Sequence, residues 1–421
     1  MKGTVVFISM VHWHFTWQLE HSFARGLAER GYDVRFVEPL PKRWPALSEL
    51  GRVWGRLVGH SETAGNCYQP LAPGVELISP RLLPDTSPLL QSLNRRLFVP
   101  RIVDTLRRDA TQPLIVINYL PLPASLALMA QLRPDATFYH CVNDWDHDPY
   151  TSTGHFREAE LAGAVDMVWT DSPVNYARNA VWADNVILMA HVVDVELFAR
   201  ARHTPAEPPA RPLCAYFGTI GISADIDLLR AVSHRYRLRL IGPVRTLLEG
   251  FAADTEMIPP VPQGELPELL RDVDVLLLPY VRSVHNEGVM PAKIFECMAT
   301  GKPMVVSGLT ALEQYADLLY LCEGESEFLA QIAAAVHEPP ARRAARIAWA
   351  TLPRSSTTDS PVSMSVAIAR NGIGSLRKSV TPKARVASTR KNDSIETPAM
   401  TPLGSASPPS LTPNSGANSV L

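Results

Sequence analysis

Lys293 and Glu296 stand three residues apart in the run Pro-Ala-Lys-Ile-Phe-Glu-Cys-Met-Ala-Thr-Gly-Lys-Pro-Met-Val-Val that fills positions 291–306. The run follows an apolar stretch (274–280) that reads as a buried strand, and a polar loop (281–290). It then reads as a short helix closed by Gly301, with a second strand starting at Pro303. At that spacing an ammonium and a carboxylate share one helix face. A helix N-terminus and a lysine attract phosphate, and a glutamate accepts hydrogen bonds from ribose hydroxyls. The pair therefore suits a nucleotide bound beyond the carboxyl end of a parallel strand. A surface Lys–Glu pair on an ordinary helix fits the same two residues, so the pair alone does not decide.

The elements that must hold such a site alternate in type along the chain. Short apolar runs alternate with amphipathic segments, the pattern of a parallel α/β sheet. In the first half, strands are expected at 4–10, 33–38, 114–119, 136–142, 167–171 and 186–189, with helices at 18–30, 123–132, 156–163 and 174–181. Residues 40–100 are irregular. The Pro-rich segment 203–212, which lacks large apolar side chains, reads as a linker. The alternation then restarts. Strands are expected at 213–217, 237–241, 257–258, 273–279, 304–307 and 319–321, and helices at 225–233, 247–253, 264–271, 291–300, 309–315, 325–336 and 341–350. After Trp349 no Phe, Tyr or Trp occurs, and Ser, Thr and Pro dominate. Such a segment buries too little apolar area to offset its ordering entropy, so 351–421 is expected to be a disordered tail. It reads either as sequence unrelated to the rest or as a natural flexible extension. If it is unrelated, ending the chain near Ala350 leaves activity and melting intact.

Composition narrows the class. The chain has 421 residues, enough for two domains and a tail, with net charge −2 and pI about 6.6, which gives no basic surface for general nucleic-acid binding. No apolar run reaches the length of a membrane-spanning helix, and the apolar residues 5–10 are too few for a signal sequence. Five cysteines (Cys67, Cys141, Cys214, Cys297, Cys322) are scattered and odd in number, which points to reduced thiols and not to a disulfide frame or a zinc site.

The motif at 291–306 resembles the donor-site helix of GT-B glycosyltransferases, in particular those of glycosyltransferase family 4 type, and within them a divergent branch like the teichuronic-acid enzymes. Three further segments are similar in the same order. Cys-Ala-Tyr-Phe-Gly-Thr-Ile-Gly (214–221) resembles the first strand and glycine loop of the family's C-terminal domain. Arg-Leu-Ile-Gly-Pro (239–243) resembles its second strand. Leu-Pro-Glu-Leu-Leu-Arg-Asp-Val-Asp-Val-Leu-Leu-Leu-Pro-Tyr (266–280) resembles the lead-in to the donor helix. The resemblance covers roughly residues 3–350. It implies an α/β GT-B fold of two Rossmann-like domains facing a cleft: 1–202 for the acceptor, 203–212 as linker, 213–350 for the nucleotide-sugar, then the tail.

The resemblance also implies residue roles. Gly218, Thr219 and Gly221 would form the phosphate loop, although a tight turn needing positive φ explains the same glycines. Lys293 would meet the diphosphate, Glu296 the ribose, and Arg245, Glu287 and Gly288 would complete the donor site. On the acceptor side, His12, Trp13, His14 and Trp17 follow the first strand, where indole faces could stack on sugar rings or fill the core. Asp144 and Trp145 follow the strand ending at Val142. Asp144 and His14 are the catalytic candidates. Asp144-Trp-Asp146 also matches the D-x-D metal motif of the other glycosyltransferase fold, with His147 and Asp148 beside it; the two-domain pattern favours no metal. The sequence departs from the family in having Gly288 where a second glutamate is common, no basic residue at 219–227, and Val192 at a position usually held by glycine.

The expected protein is thus a cytoplasmic hexosyltransferase, without a separate cofactor, that moves a sugar from a UDP- or GDP-linked donor to a saccharide or lipid-linked acceptor. The resemblance implies a retaining, metal-independent reaction in cell-surface polysaccharide synthesis. Arg and Trp residues at 42–58, and Arg-Arg-Leu-Phe at 95–98, could rest on the inner membrane face or be ordinary solvated residues. Two alternatives stay open: a nucleotide-sugar epimerase of the same fold, or a sugar-nucleotide-binding protein without turnover.

Overall fold

The computed structural model describes residues 2–15, 17–44, 69–147, 155–189, 193–203 and 209–351. The expected linker centre, the tail beyond 351, Cys67, Asp148, Val192 and the Arg/Trp residues from 45 to 58 lie outside these residues.

Thirteen strands form two wholly parallel sheets among the described residues. β1 (Thr4–Ile8), β2 (Asp33–Val37), β3 (Val75–Ile78), β4 (Leu114–Asn118), β5 (Ala136–Cys141), β6 (Met167–Thr170) and β7 (Val186–Leu188) lie in the order β3-β2-β1-β4-β5-β6-β7. β8 (Leu213–Phe217), β9 (Arg237–Ile241), β10 (Glu256–Ile258), β11 (Val275–Pro279), β12 (Met304–Ser307) and β13 (Tyr320–Leu321) lie in the order β10-β9-β8-β11-β12-β13. Both faces of each sheet carry a buried apolar cluster, which is why the strands read as continuous apolar runs and not as alternating ones. In each sheet the strand order reverses once, between β1 and β4 and between β8 and β11. Ligands of such sheets sit outside the strand ends at that reversal.

Most elements fall within one or two residues of expectation, and the differences are informative. Residues 247–253 are not helical; Gly250 has φ +74° and breaks the turn there. β3 was missed because four residues, only two of them buried, give no periodicity. The helices Pro88–Leu93 and Val99–Arg107 were also missed. They are joined by a π-helical stretch, Asn94–Phe98, whose extra residue spoils the 3.6 repeat. Asn94 is buried there, donating to Leu83 O at 2.7 Å and Asp85 Oδ1 at 2.8 Å.

One boundary moves. The helix Val195–Ala199 falls inside the segment expected to belong to the first domain. Its Phe198, and Ala201 just after it, are fully buried in the core of the second sheet. Asp194 caps this helix, accepting from Leu197 N at 3.0 Å, and pairs with Arg25 of the first half at 3.4 Å.

The last described helix, Pro340–Thr351, braces the Lys293–Thr300 helix. Trp349 stacks on Phe295 with centroids 5.3 Å apart, and Tyr315 meets Trp349 edge-on at 5.1 Å. Arg346, with no solvent exposure, pairs with Glu338 and donates to Leu318 O and Gly301 O at 3.0 and 3.1 Å. Gly301 closes the braced helix with φ +70°. A Cβ there would lie 2.7 Å from Ile347 Cδ1, so the close helix contact and the left-handed turn both require glycine.

Candidate active site

Lys293 begins the eight-residue helix after β11, and its side chain reaches across the sheet edge to the end of β8. Nζ donates to Phe217 O at 2.7 Å and lies 4.2 Å from the Tyr216 ring centroid and 5.5 Å from that of Tyr280. Electron-rich ring faces and a carbonyl thus fix the position of an ammonium that still has N–H bonds to give. Gly218 follows Phe217 with φ +118°, and a Cβ on it would meet Lys293 Nζ at 2.7 Å. The glycine therefore meets the tight-turn expectation, and the lack of a side chain also leaves room for the ammonium. At the helix start, the amides of Ile294 and Phe295 are taken by Pro291 O (3.0 Å) and Ala292 O (3.3 Å). Among the described residues the amides of Ala292 and Lys293 have no such acceptor, and they join the ammonium as donors for an anion.

Glu296 lies one turn further along the same helix. Gln263 Nε2, from the 3₁₀ turn Gln263–Glu265, donates to Glu296 Oε1 at 2.9 Å. Burial pushes this carboxyl up to about 7, against the opposing pull of Gln263 and Lys293. An ionised carboxylate accepts from both ribose hydroxyls, whereas a protonated one loses an acceptor site. Affinity for a UDP-sugar, whose diphosphate has no proton to lose near neutrality, is therefore expected to rise up to about tenfold between pH 6 and 8. Titration calorimetry should show that rise in the native chain and a flat profile in Glu296→Gln.

The remaining donor-side candidates frame this point. The Thr219 carbonyl accepts from Tyr216 OH at 2.9 Å, and Gly221 O accepts from Ala224 N at 2.9 Å, so the loop is folded back on itself. Arg245 is exposed, and its amide donates to Ile220 O at 2.8 Å, which sets it beside the glycine loop. Glu287 ends the short helix Val284–Glu287. Gly288 is buried, and its carbonyl accepts from Ser172 Oγ of the first half at 2.8 Å.

The N-terminal candidates divide. Trp13 and Trp145 are 0 % and 3 % exposed, so neither can stack on a ligand, which corrects the expected acceptor role. Trp13 packs edge-on to Phe36 at 5.1 Å and donates to Pro70 O at 3.3 Å. Trp145 lies on Phe156 at 4.6 Å and donates to Tyr139 OH at 3.0 Å. Trp17 is half-buried, with its ring stacked on His21 at 5.1 Å and Arg25 at 4.9 Å from its centroid. His14 is half-buried in the same loop. His12 lies 3.3 Å from Glu38, where bonds from His12 and Ser79 outweigh burial and hold the carboxyl below its usual range. Asp144 is buried and pairs with Arg178 at 3.1 Å and with His147 at 2.9 Å. A guanidinium thus occupies one side of the D-x-D candidate. No group of three or more potential ligands is placed to hold a metal ion among the described residues.

Residues 222–338, the stretch bearing Lys293 and Glu296, match the family model "Glycosyl transferases group 1". The chain carries a glycosyltransferase group 1 domain on a GT-B fold. Anabaena Alr3699/HepE in complex with UDP superimposes with a TM-score of 0.52 at 15% identity, over 90% of this chain and 98% of that one. The UDP-forming α,α-trehalose-phosphate synthase of Burkholderia vietnamiensis gives 0.57 at 12% identity, over 90% and 98%. TuaH of Bacillus subtilis (strain 168), assigned as a teichuronic acid biosynthesis glycosyltransferase, is 38% identical over 50 residues, which is 12% of this chain and 13% of that protein.

Several buried polar residues in both halves carry no signal in the sequence. Gln263 carries no charge and sits in a Pro/Gly-rich turn, so nothing marked it. Ser172 and Asn175 lie in the first half and meet the group 1 domain only through the fold. Glu20, 1 % exposed beside the end of β1, has its carboxyl pushed up to about 7 by burial, and its Oε1 has no hydrogen-bond partner among the described residues. It looked like an ordinary first-turn helix carboxylate. A cavity of about 480 Å³ lies past Tyr280 at the ends of β12 and β13. Three of its carboxylates are already engaged. Asp225 caps Leu228 N, Glu323 pairs with Arg282, and Glu327 accepts from Glu323 N.

Proposed function

We propose that this chain is a glycosyltransferase that moves a sugar from a UDP- or GDP-linked donor to a saccharide or lipid-linked acceptor. The observation that carries the reading is the convergence of Lys293, Gly218 and the helix-start amides at one point, with Glu296 a turn away. Breaking the bond from the sugar C1 to a diphosphate builds negative charge on the leaving oxygens. Fixed donors at that spot lower the barrier because they need no reorganisation as the charge develops. In this reading Lys293 and the amides of Ala292 and Lys293 supply that charge complement, Glu296 orients the ribose, and Arg245 meets the outer phosphate.

The reaction retains configuration and uses no metal. Asp144 supports this. Its carboxylate is neutralised by Arg178 and hydrogen-bonded to His147, which suits holding a hydroxyl in place and not abstracting its proton. The leaving phosphate then takes the acceptor proton on the same face. His14 and the open part of Trp17 border the acceptor. Products belong to cell-surface polysaccharide synthesis, and Arg95 and Arg96, both exposed, rest against anionic lipid at the inner membrane face.

A thermal-shift panel of UDP-, GDP- and dTDP-sugars tests the donor. One nucleotide class should raise the melting temperature, and incubation with oligosaccharide or lipid-linked acceptors should release that nucleoside diphosphate equally with and without EDTA. A panel with no shift contradicts the reading. Release that stops with EDTA and returns with Mn²⁺ contradicts metal independence.

A further inference from the structure

We propose that Ser172 and Asn175, in the first half of the chain, are positioning residues for the donor site: they grip the Gly288 carbonyl and so set the loop that leads into the Lys293–Thr300 helix. The proposal rests on the glycosyltransferase reading above.

Ser172 and Asn175 have no solvent exposure. Ser172 Oγ donates to Gly288 O at 2.8 Å across 116 residues of sequence, and Asn175 Nδ2 approaches the same oxygen at 3.4 Å across 113. The serine hydroxyl also accepts from Asn175 N at 3.2 Å, capping the helix Pro173–Asn179. Asn175 Nδ2 donates to Asp171 Oδ1 at 3.2 Å, while Asn175 Oδ1 has no partner among the described residues. The amide is thus turned to give its hydrogens to Gly288 and Asp171 and leaves its own acceptor unmet. The reverse orientation would set oxygen against two oxygens. A buried side chain held in that way is fixed by what it grips.

The loop on the other side is locked from within. Ser283 caps Val284–Glu287, the Gly288 amide donates to His285 O at 3.2 Å, and the Val289 amide donates to Asn286 O at 3.2 Å. Asn286, 2 % exposed, donates to Val281 O at 2.6 Å and reaches Ser223 O, just past the glycine loop, at 3.4 Å. The segment is therefore pinned to the glycine-loop side through Asn286 and to the first half through Gly288. Two residues later Met290 enters the second core, and Lys293 follows. A shift at the Gly288 carbonyl moves the helix start that presents the ammonium and amides. Any free energy that donor binding gains by ordering this loop is shared, reciprocally, with the contact between the halves.

The test uses the full chain and three variants. Ser172→Asp keeps a capping oxygen but has no hydrogen for Gly288, Asn175→Asp removes the amide donors, and Ser172→Thr keeps both functions of the hydroxyl. Hydrogen exchange of residues 281–292 and the Kd for a UDP- or GDP-sugar are measured alongside the melting temperature. Ser172→Asp and Asn175→Asp should each speed exchange in 281–292 and raise Kd about tenfold, with Ser172→Thr close to the native chain. Native binding together with unchanged exchange in a folded Ser172→Asp overturns the positioning role, as does a Ser172→Thr variant that behaves like Ser172→Asp. A native chain that binds none of the nucleotide-sugars overturns the functional reading first, and the donor role of this joint with it. The exchange arm still reports whether the joint orders the loop, so the two failures are separable.

Discussion

Lys293→Met should weaken binding of the nucleotide-sugar about 10- to 100-fold, the loss expected for one charge-assisted hydrogen bond to phosphate. The melting temperature should barely change. Methionine has nearly the same reach, and its thioether packs well against the Tyr216 and Tyr280 rings that now face the ammonium. Gly218→Ala should reproduce the loss by a different route. Its Cβ would stand 2.7 Å from Nζ at a backbone angle that alanine adopts only with strain, so the ammonium must leave its place. Calorimetry on both variants separates charge from packing. If Lys293→Met binds the donor as tightly as the native chain, phosphate is not held here. Effects on the nucleoside alone, without phosphates, should be small for both.

Arg346→Ala should cost on the order of 3–5 kcal/mol of stability, the usual penalty for stripping one partner from a buried ion pair. Arg346 is fully buried, pairs with Glu338, and satisfies the carbonyls of Leu318 and Gly301. Its removal leaves a carboxylate and two carbonyls short of a donor. Gly301 ends the very helix that starts with Lys293, so donor binding should weaken as well, through the helix and not through contact. A thermal melt checks the first part, with a fall on the order of 10 °C expected. A melt within about 2 °C of the native chain would show that the Pro340–Thr351 helix is not the brace described above.

How much of this was legible beforehand follows from the kind of signal each part gives. Parallel strands buried on both faces announce themselves as apolar runs, and β8, β9 and β12 were found to the residue. The 291–306 motif was legible because lysine, glutamate and a closing glycine in fixed spacing are rare by accident, and the positive φ of Gly218 and Gly301 is a demand the sequence states openly. Trp13 and Trp145 were ambiguous because indole suits both a sugar and a core. Only the packed neighbours decide, Phe36 against Trp13 and Phe156 against Trp145, and the sequence does not say which rings meet. The joint at Gly288 was illegible for the same reason. Ser172 looks like any N-cap, and its second bond goes to a carbonyl 116 residues on. Gln263 and Glu20 gain their character from burial, which a single sequence does not display. The π-helical stretch at Asn94–Phe98 hid two helices by shifting their repeat.

The most direct check is a crystal structure of the chain soaked with a UDP- or GDP-sugar. The diphosphate should lie within hydrogen-bonding distance of Lys293 Nζ and the amides of Ala292 and Lys293, with the ribose hydroxyls on Glu296. A nucleotide-sugar seated anywhere else, with that corner of the sheet edge empty, would contradict the account.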